Sequence, residues 1–207
     1  MVLLIQYTLI FASVLVLVAL GGCFSEHSGV INIGLEGIMV MGALGGALMM
    51  KYALGVPPVV MILLVILASV AVGMLFSLLL GVAAIRFSAD QTLVGTALNL
   101  LGPAAAVVLV RAINMAESAD NVSSTVAYGQ AKKAFLMNIG RFEFNWFMLI
   151  ALLVLIAAYI VLYKTKFGLR LMACGEHPQA ADSVGINVYK MRYAGVLISG
   201  ALGGLGG

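Results

Sequence analysis

Between Tyr52 and Ile85 the chain runs without a single Asp, Glu, Lys or Arg, and from Met1 to Ser25 it does so again. Each run is longer than the roughly 20 apolar residues a helix needs to cross a bilayer core of about 30 Å. The rest of the composition agrees. Only 9% of the 207 residues are charged, against about 25% in an ordinary soluble domain. The apolar set reaches 63% before the 24 glycines are counted. A soluble fold of this size could not bury that much apolar surface and still cover itself with polar groups. Soluble enzymes, nucleic-acid binders, disordered tails and secreted disulfide scaffolds are therefore excluded, and the chain reads as a polytopic membrane protein.

The charge-free runs set the span count. Spans are expected at about 2–20, 37–54, 57–80, 91–110 and 144–163, with a sixth over 193–207. Pro57-Pro58 supplies a helix start for the third, and Gly102-Pro103 is expected to interrupt the fourth. The last run is short and glycine-rich for a terminal span, so the chain is expected to be one transmembrane domain truncated at its C-terminus. Leu20-Gly21-Gly22-Cys23 loosely matches a lipoprotein cleavage box. No basic residue precedes that apolar stretch, however, so a retained first span is the better reading. Cys23 and Cys174 have no CxxC or Cys/His companion, so neither a metal site nor a disulfide framework is expected.

Loop charges orient the chain. The segment 164–192 holds Lys164, Lys166, Arg170, Lys190 and Arg192 against Glu176 and Asp182, which marks it as cytoplasmic. Counting back places 111–143 outside, 85–90 inside, Lys51 outside, 21–36 inside and the N-terminus outside. Arg111, Lys132, Lys133 and Arg141 in the outer loop pull against that assignment.

Ser28 to Met39 is the first segment with functional character. Gly29, Gly34 and Gly37 argue for a broken or re-entrant helix, and non-helical backbone at membrane depth is tolerated only under protein or beside a wet cavity. In transporters such breaks sit on the substrate path. Asn32 and Glu36 would share a face if the segment were locally helical. They are candidates for the path, against a reading in which Glu36 only caps the second span. Asn99 is a third candidate, weighed against a purely interhelical hydrogen bond.

The pentapeptide Gly42-Ala43-Leu44-Gly45-Gly46 recurs as Gly200-Ala201-Leu202-Gly203-Gly204. Its small residues four apart suit close helix packing, through Gly42, Gly46, Gly200 and Gly204. Gly185-Ile186-Asn187 beside Val30-Ile31-Asn32 hints weakly at an internal repeat.

In the inner loop, Lys164 to Leu171 is basic and interfacial. Pro178, small residues and then Gly185 read as a short cytoplasmic helix, shaped to be gripped by a partner. His177 stands alone, and no Ser/His/Asp, paired-carboxylate or phosphate-loop pattern occurs. The reading is therefore not an enzyme, with no cofactor and no metal.

At these residues the chain resembles the permease subunits of ATP-binding-cassette importers. Gln179-Ala180-Ala181-Asp182-Ser183-Val184-Gly185 matches the spacing of their EAA-x-x-x-G coupling loop, with Gln179 in place of the usual Glu. Ser28 to Met39, Arg86 to Gln91 with Ala97 to Leu100, and Phe167 to Arg192 look like the branch that imports nucleosides and simple sugars. That branch is related to the ribose and branched-chain amino acid permeases, and the resemblance covers nearly the whole chain.

It implies an all-α polytopic transmembrane bundle in a prokaryotic plasma (inner) membrane, with a broken or re-entrant segment and a short cytoplasmic coupling helix. It also implies partners: cytoplasmic ATP-binding subunits that would grip Gln179, Ala180, Ala181 and Gly185, a second permease subunit, and an extracytoplasmic substrate-binding protein. ATP hydrolysis would belong to the ATPase, and alternating access to the permease. The alternatives are a branched-chain amino acid importer permease, or a secondary carrier or channel that needs no ATPase.

Overall fold

The computed structural model describes residues 2–53, 55–127, 136–139 and 142–207. The described chain is helical apart from one short strand pair. Its helices are α1 (Val2–His27), α2 (Leu35–Tyr52), α3 (Pro58–Gly81), α4 (Gln91–Glu117), α5 (Trp146–Lys164), α6 (Lys166–Glu176), α7 (Pro178–Ser183) and α8 (Val188–Gly206). A π-helical turn, Val82–Arg86, prolongs α3. Strands β1 (Leu136–Ile139) and β2 (Phe142–Asn145) pair antiparallel, with Leu136 opposite Asn145. Lys132, Lys133 and Arg141, invoked above for the outer loop, lie outside the described residues. Four helices, over Leu4–His27, Pro58–Arg86, Gln91–Glu117 and Trp146–Lys164, are long and apolar enough to cross a membrane.

Local chemistry accounts for the helix starts. Pro58 opens α3 where a missing N–H costs nothing. The Asp90 carboxylate accepts from Thr92 N (2.8 Å) and Leu93 N (3.1 Å) to cap α4. Asn145 accepts from Phe147 N at 3.0 Å to cap α5, and Asn187 accepts from Lys190 N at 2.9 Å to cap α8.

The helices depart from the sequence expectation in three places. The first runs on to His27 rather than stopping at Leu20. The last begins at Val188, so Lys190 and Arg192 sit within its first two turns. The fourth is not interrupted: α4 passes through Gly102-Pro103 to Glu117. Proline removes one intrahelical bond, and neighbouring helices in a bundle make that tolerable. Here Gly102 is clamped on α2, where a methyl group would lie 2.6 Å from Gly37 O and 2.7 Å from Gly37 Cα.

Helix α8 is the centre of the bundle, packed on α1, α2 and α3, and α2 also packs on α3 and α4. The buried cluster Val30, Ile38, Phe76, Leu80, Ile85, Leu98 and Val196 fills the space between α2, α3, α4 and α8. The outward faces stay apolar, with Leu67, Leu75, Leu100 and Leu153 exposed where lipid would lie. At the α2/α3/α8 node the backbones themselves touch. A methyl on Gly42 would overlap the Gly204 backbone, so the two copies of the recurrent pentapeptide meet. A methyl on Gly73 would collide with Gly200 O and lie 2.7 Å from Gly204 Cα. Packing of this closeness supplies helix association where lipid removes the hydrophobic driving force.

The bundle has two chemically distinct ends. At one, Lys51 Nζ pairs with Glu117 at 2.7 Å, the one ion pair among the described residues, and Tyr52 OH donates to Glu117 at 3.1 Å. At the other, Gly175 of α6 is pressed against His27 O and Gly29 N, and the connection 86–90 meets the start of α8. The segments 27–31, 85–91 and 164–193 thus share an end, opposite Lys51 and Glu117.

Candidate functional site

The connection between α1 and α2 is where helix gives way to irregular backbone. Gly29 takes φ +80°, a conformation that a side chain would strain. The turn before it closes on hydroxyls: Ser25 Oγ donates to Val30 O at 2.6 Å and Ser28 Oγ donates to Ser25 O at 2.6 Å. Beyond Val30 the amides have no helix to serve them, and buried backbone polar groups need partners.

Helix α4 provides those partners. Gln91 Oε1 accepts from Ile31 N at 2.7 Å. Asn99 Nδ2 donates to Ile33 O at 2.9 Å, while its Oδ1 accepts from Gly37 N at 2.9 Å. Gln91 and Asn99 stand just over two turns apart and so share one face of α4. Gly34 and Gly37 let that face approach, since a methyl on Gly34 would press on Leu98 at 3.2 Å.

The three candidate path residues separate in the structure. Asn32 is 6% exposed. Its Nδ2 donates to Ser199 Oγ of α8 at 2.9 Å, and its Oδ1 is buried with no protein partner. Glu36 is exposed in the first turn of α2. The helix begins only at Leu35, so the two do not share a helical face; the glycine-rich break lies between α1 and the start of α2. Asn99 is half-buried, with both polar atoms committed to the break.

Residues 179–185 form a compact knob at the basic end. Helix α7 ends as Gly185 N donates to Asp182 O (2.9 Å) and Ile186 N donates to Ala181 O (3.0 Å). Gly185 itself sits at φ +82°, the usual glycine stop. Gln179, Ala180 and Gly185 face outward, and Val184 is 74% exposed. Ala181 is turned inward and buried. Among the packing glycines, Gly46 meets the Ser69 side chain and Gly200 meets Ser77.

Gly73 and Ser199 were not singled out in the sequence. Ser69, Gly73 and Ser77, spaced four apart in α3, carry the same small-residue signal as the pentapeptides.

The closely packed spans, the break stitched by amides and the exposed knob are spread along the described residues, and similarity to known proteins covers nearly the whole chain. The family described as "Branched-chain amino acid transport system / permease component" matches residues 4–207. The chain belongs to that permease family. It is a membrane protein, and permeases of this family sit in the prokaryotic plasma membrane.

It is 43% identical over 204 residues to the guanosine ABC transporter permease protein NupQ of Bacillus subtilis, covering 97% of the chain and 64% of that relative. It is 42% identical over 205 residues to the nucleoside ABC transporter permease protein NupC of Lactococcus lactis subsp. cremoris, covering 96% and 64%. A probable branched-chain amino acid transport permease protein, LivH of Methanocaldococcus jannaschii, is 38% identical over 91 residues, 42% of the chain and 29% of that relative. The chain thus spans just under two thirds of the length of the two nucleoside permeases. No solved structure matches it.

Proposed function

We propose that this chain is the membrane-spanning permease part of an ATP-binding-cassette importer for nucleosides, with simple sugars as the neighbouring substrate class. The observation that carries the reading is identity above 40% to two nucleoside permeases across nearly the whole chain. The one branched-chain amino acid permease cited above is similar over less than half of it, so that substrate class is second.

On this reading the end rich in Lys and Arg is cytoplasmic, and Gln179, Ala180, Val184 and Gly185 offer the surface a partner ATPase grips. Ala181 then acts by seating the knob. Displacement of α7 has a route inward: α6 bears on His27 and Gly29 through Gly175, and α8 bears on Asn32 through Ser199. The break is therefore the element such a movement would reach, and exposed Glu36 is the side chain best placed to meet a ligand there. The permease performs no chemistry; hydrolysis belongs to the ATPase, and delivery to an extracytoplasmic binding protein. A second permease subunit completes the path.

The test is uptake of a labelled nucleoside by the host strain with and without this gene, challenged with unlabelled nucleosides, glucose and leucine. Nucleosides alone should compete. Competition by leucine alone would move the branched-chain reading to first place. Uptake that survives loss of the cognate ATPase would replace both with a secondary carrier.

A further inference from the structure

A cavity of about 380 Å³ opens at the basic end, lined by Ile85, Arg86, Ser88, Tyr189 and Tyr193. We propose that it binds the phosphate of an anionic phospholipid headgroup, through Arg86 with the hydroxyls of Ser88, Tyr189 and Tyr193.

The donors come from two places more than a hundred positions apart: the connection leaving α3, and the first two turns of α8. Every polar side chain on the wall can donate to a phosphate oxygen, and none is a carboxylate. Arg86 has no acid partner among the described residues. Asp90, the nearest acid in sequence, has its carboxylate taken up by the amides that begin α4.

The backbone here is built irregularly. The π-turn ends at Arg86, and Ser88 is the single non-glycine residue at positive φ (+51°) among the described residues. Both features recur at functional positions. Tyr193 is held in place from behind, with its ring 3.3 Å from where a methyl on Gly81 would be.

Position favours a lipid over a soluble anion. Arg86 is the last residue of one membrane-length helix and Gln91 the first of the next. So short a connection keeps Arg86 and Ser88 at the bilayer boundary. Tyr189 on the cavity wall is 68% exposed, as tyrosines at headgroup level are. Basic pockets between spans on the cytoplasmic side are where anionic headgroups bind.

The experiment is a thermal-shift titration of the purified chain in neutral detergent. The probes are short-chain phosphatidylglycerol, phosphatidylcholine of the same chain length, and inorganic phosphate. Phosphatidylglycerol should raise the melting temperature saturably and the other two should not. Arg86→Gln should weaken the apparent affinity about tenfold or more, as loss of a charge-assisted bond does. Tyr189→Phe, an exposed change that keeps the ring, should weaken it several-fold and serves if Arg86→Gln does not fold. Lys166→Gln, also basic but outside the cavity, should leave it unchanged. Equal shifts with phosphatidylcholine, or an unaltered response in both cavity variants, would overturn the site. A matching shift with inorganic phosphate would overturn the lipid as its occupant.

Discussion

Gly73→Ala isolates what holds the bundle together. The added methyl has only backbone to meet: it would collide with Gly200 O, lie 2.7 Å from Gly204 Cα and 3.0 Å from Gly204 N. Backbone atoms held in a helix cannot rotate away as a side chain can, so α8 would have to separate from α3 by several tenths of an ångström. A gap of 0.5–1 Å already forfeits about a quarter to a half of each contact's attraction, and overpacking of this kind costs about 1–3 kcal/mol. The upper end applies here, because α8 is also packed on α1 and α2 and cannot shift alone. Alanine's better helix propensity returns about 1 kcal/mol, leaving a net loss of about 2 kcal/mol. For a chain of this length that lowers Tm by about 4–8 °C.

Gly46→Ala is the control on the same face system. Its methyl would meet Ser69 Oγ at 2.5 Å and Val65 Cγ1 at 3.3 Å. Both are side-chain atoms, and the hydroxyl can turn to another rotamer. The strain and the propensity gain then nearly cancel, and Tm should stay within about 2 °C of the parent. Thermal unfolding of the detergent-purified chain, followed by helical circular dichroism, measures both. Equal shifts in the two variants would refute the argument that backbone contact at the α3/α8 crossing is the costly term.

Asn99→Leu removes two bonds and orphans Ile33 O and Gly37 N, so it should cost about 2–3 kcal/mol. Gln91→Leu removes one bond at a wetter position and should cost less than about 1 kcal/mol. Amide exchange over 28–39 should rise markedly in the first variant and slightly in the second, and the reverse order would refute the assignment. Gly185→Asp meets nothing within 4 Å but enters a positive-φ position. That strain costs about 1–2 kcal/mol, so Tm should fall by about 2–8 °C with the chain still folded, whereas co-purification of the cognate ATPase should fall several-fold; an unchanged yield of ATPase would remove the docking role from this knob. Burial pushes the Cys174 thiol up, only partly opposed by Arg192, so its thiolate share at any given pH is below that of a free thiol. With exposed Cys23 replaced by serine, labelling by a water-soluble maleimide should be slow at neutral pH, climb further into the alkaline range than for a free thiol, and become fast on denaturation. Reaction at the free-thiol rate in the folded chain would contradict the buried placement.

The helices were legible because what specifies them is local. An uncharged run crosses a bilayer or it does not, Pro57-Pro58 starts a helix, and Pro178 followed by Gly185 brackets one turn and a half. The resemblance through Gly29 to Gly37 and Gln179 to Gly185 carried the family for the same reason, as contiguous residues. Local signals misled where a neighbour intervened: Gly102-Pro103 reads as a breaker, yet α2 packs on Gly102 and α4 continues. Asn32 and Glu36 have helical spacing, yet the break ends only at Leu35 and leaves one buried and the other exposed.

The sequence by itself therefore determined the solvent, the helical class and the alternation of ends, since each follows from the hydropathy and charge of neighbouring residues. Tertiary structure alone decided which glycines meet, that Gln91 and Asn99 complete the backbone of the break, and that Arg86 and Ser88 share a cavity with Tyr189 and Tyr193. Those pairings join residues from distant helices, and the choice among many possible small or polar partners is made by how whole helices can approach one another.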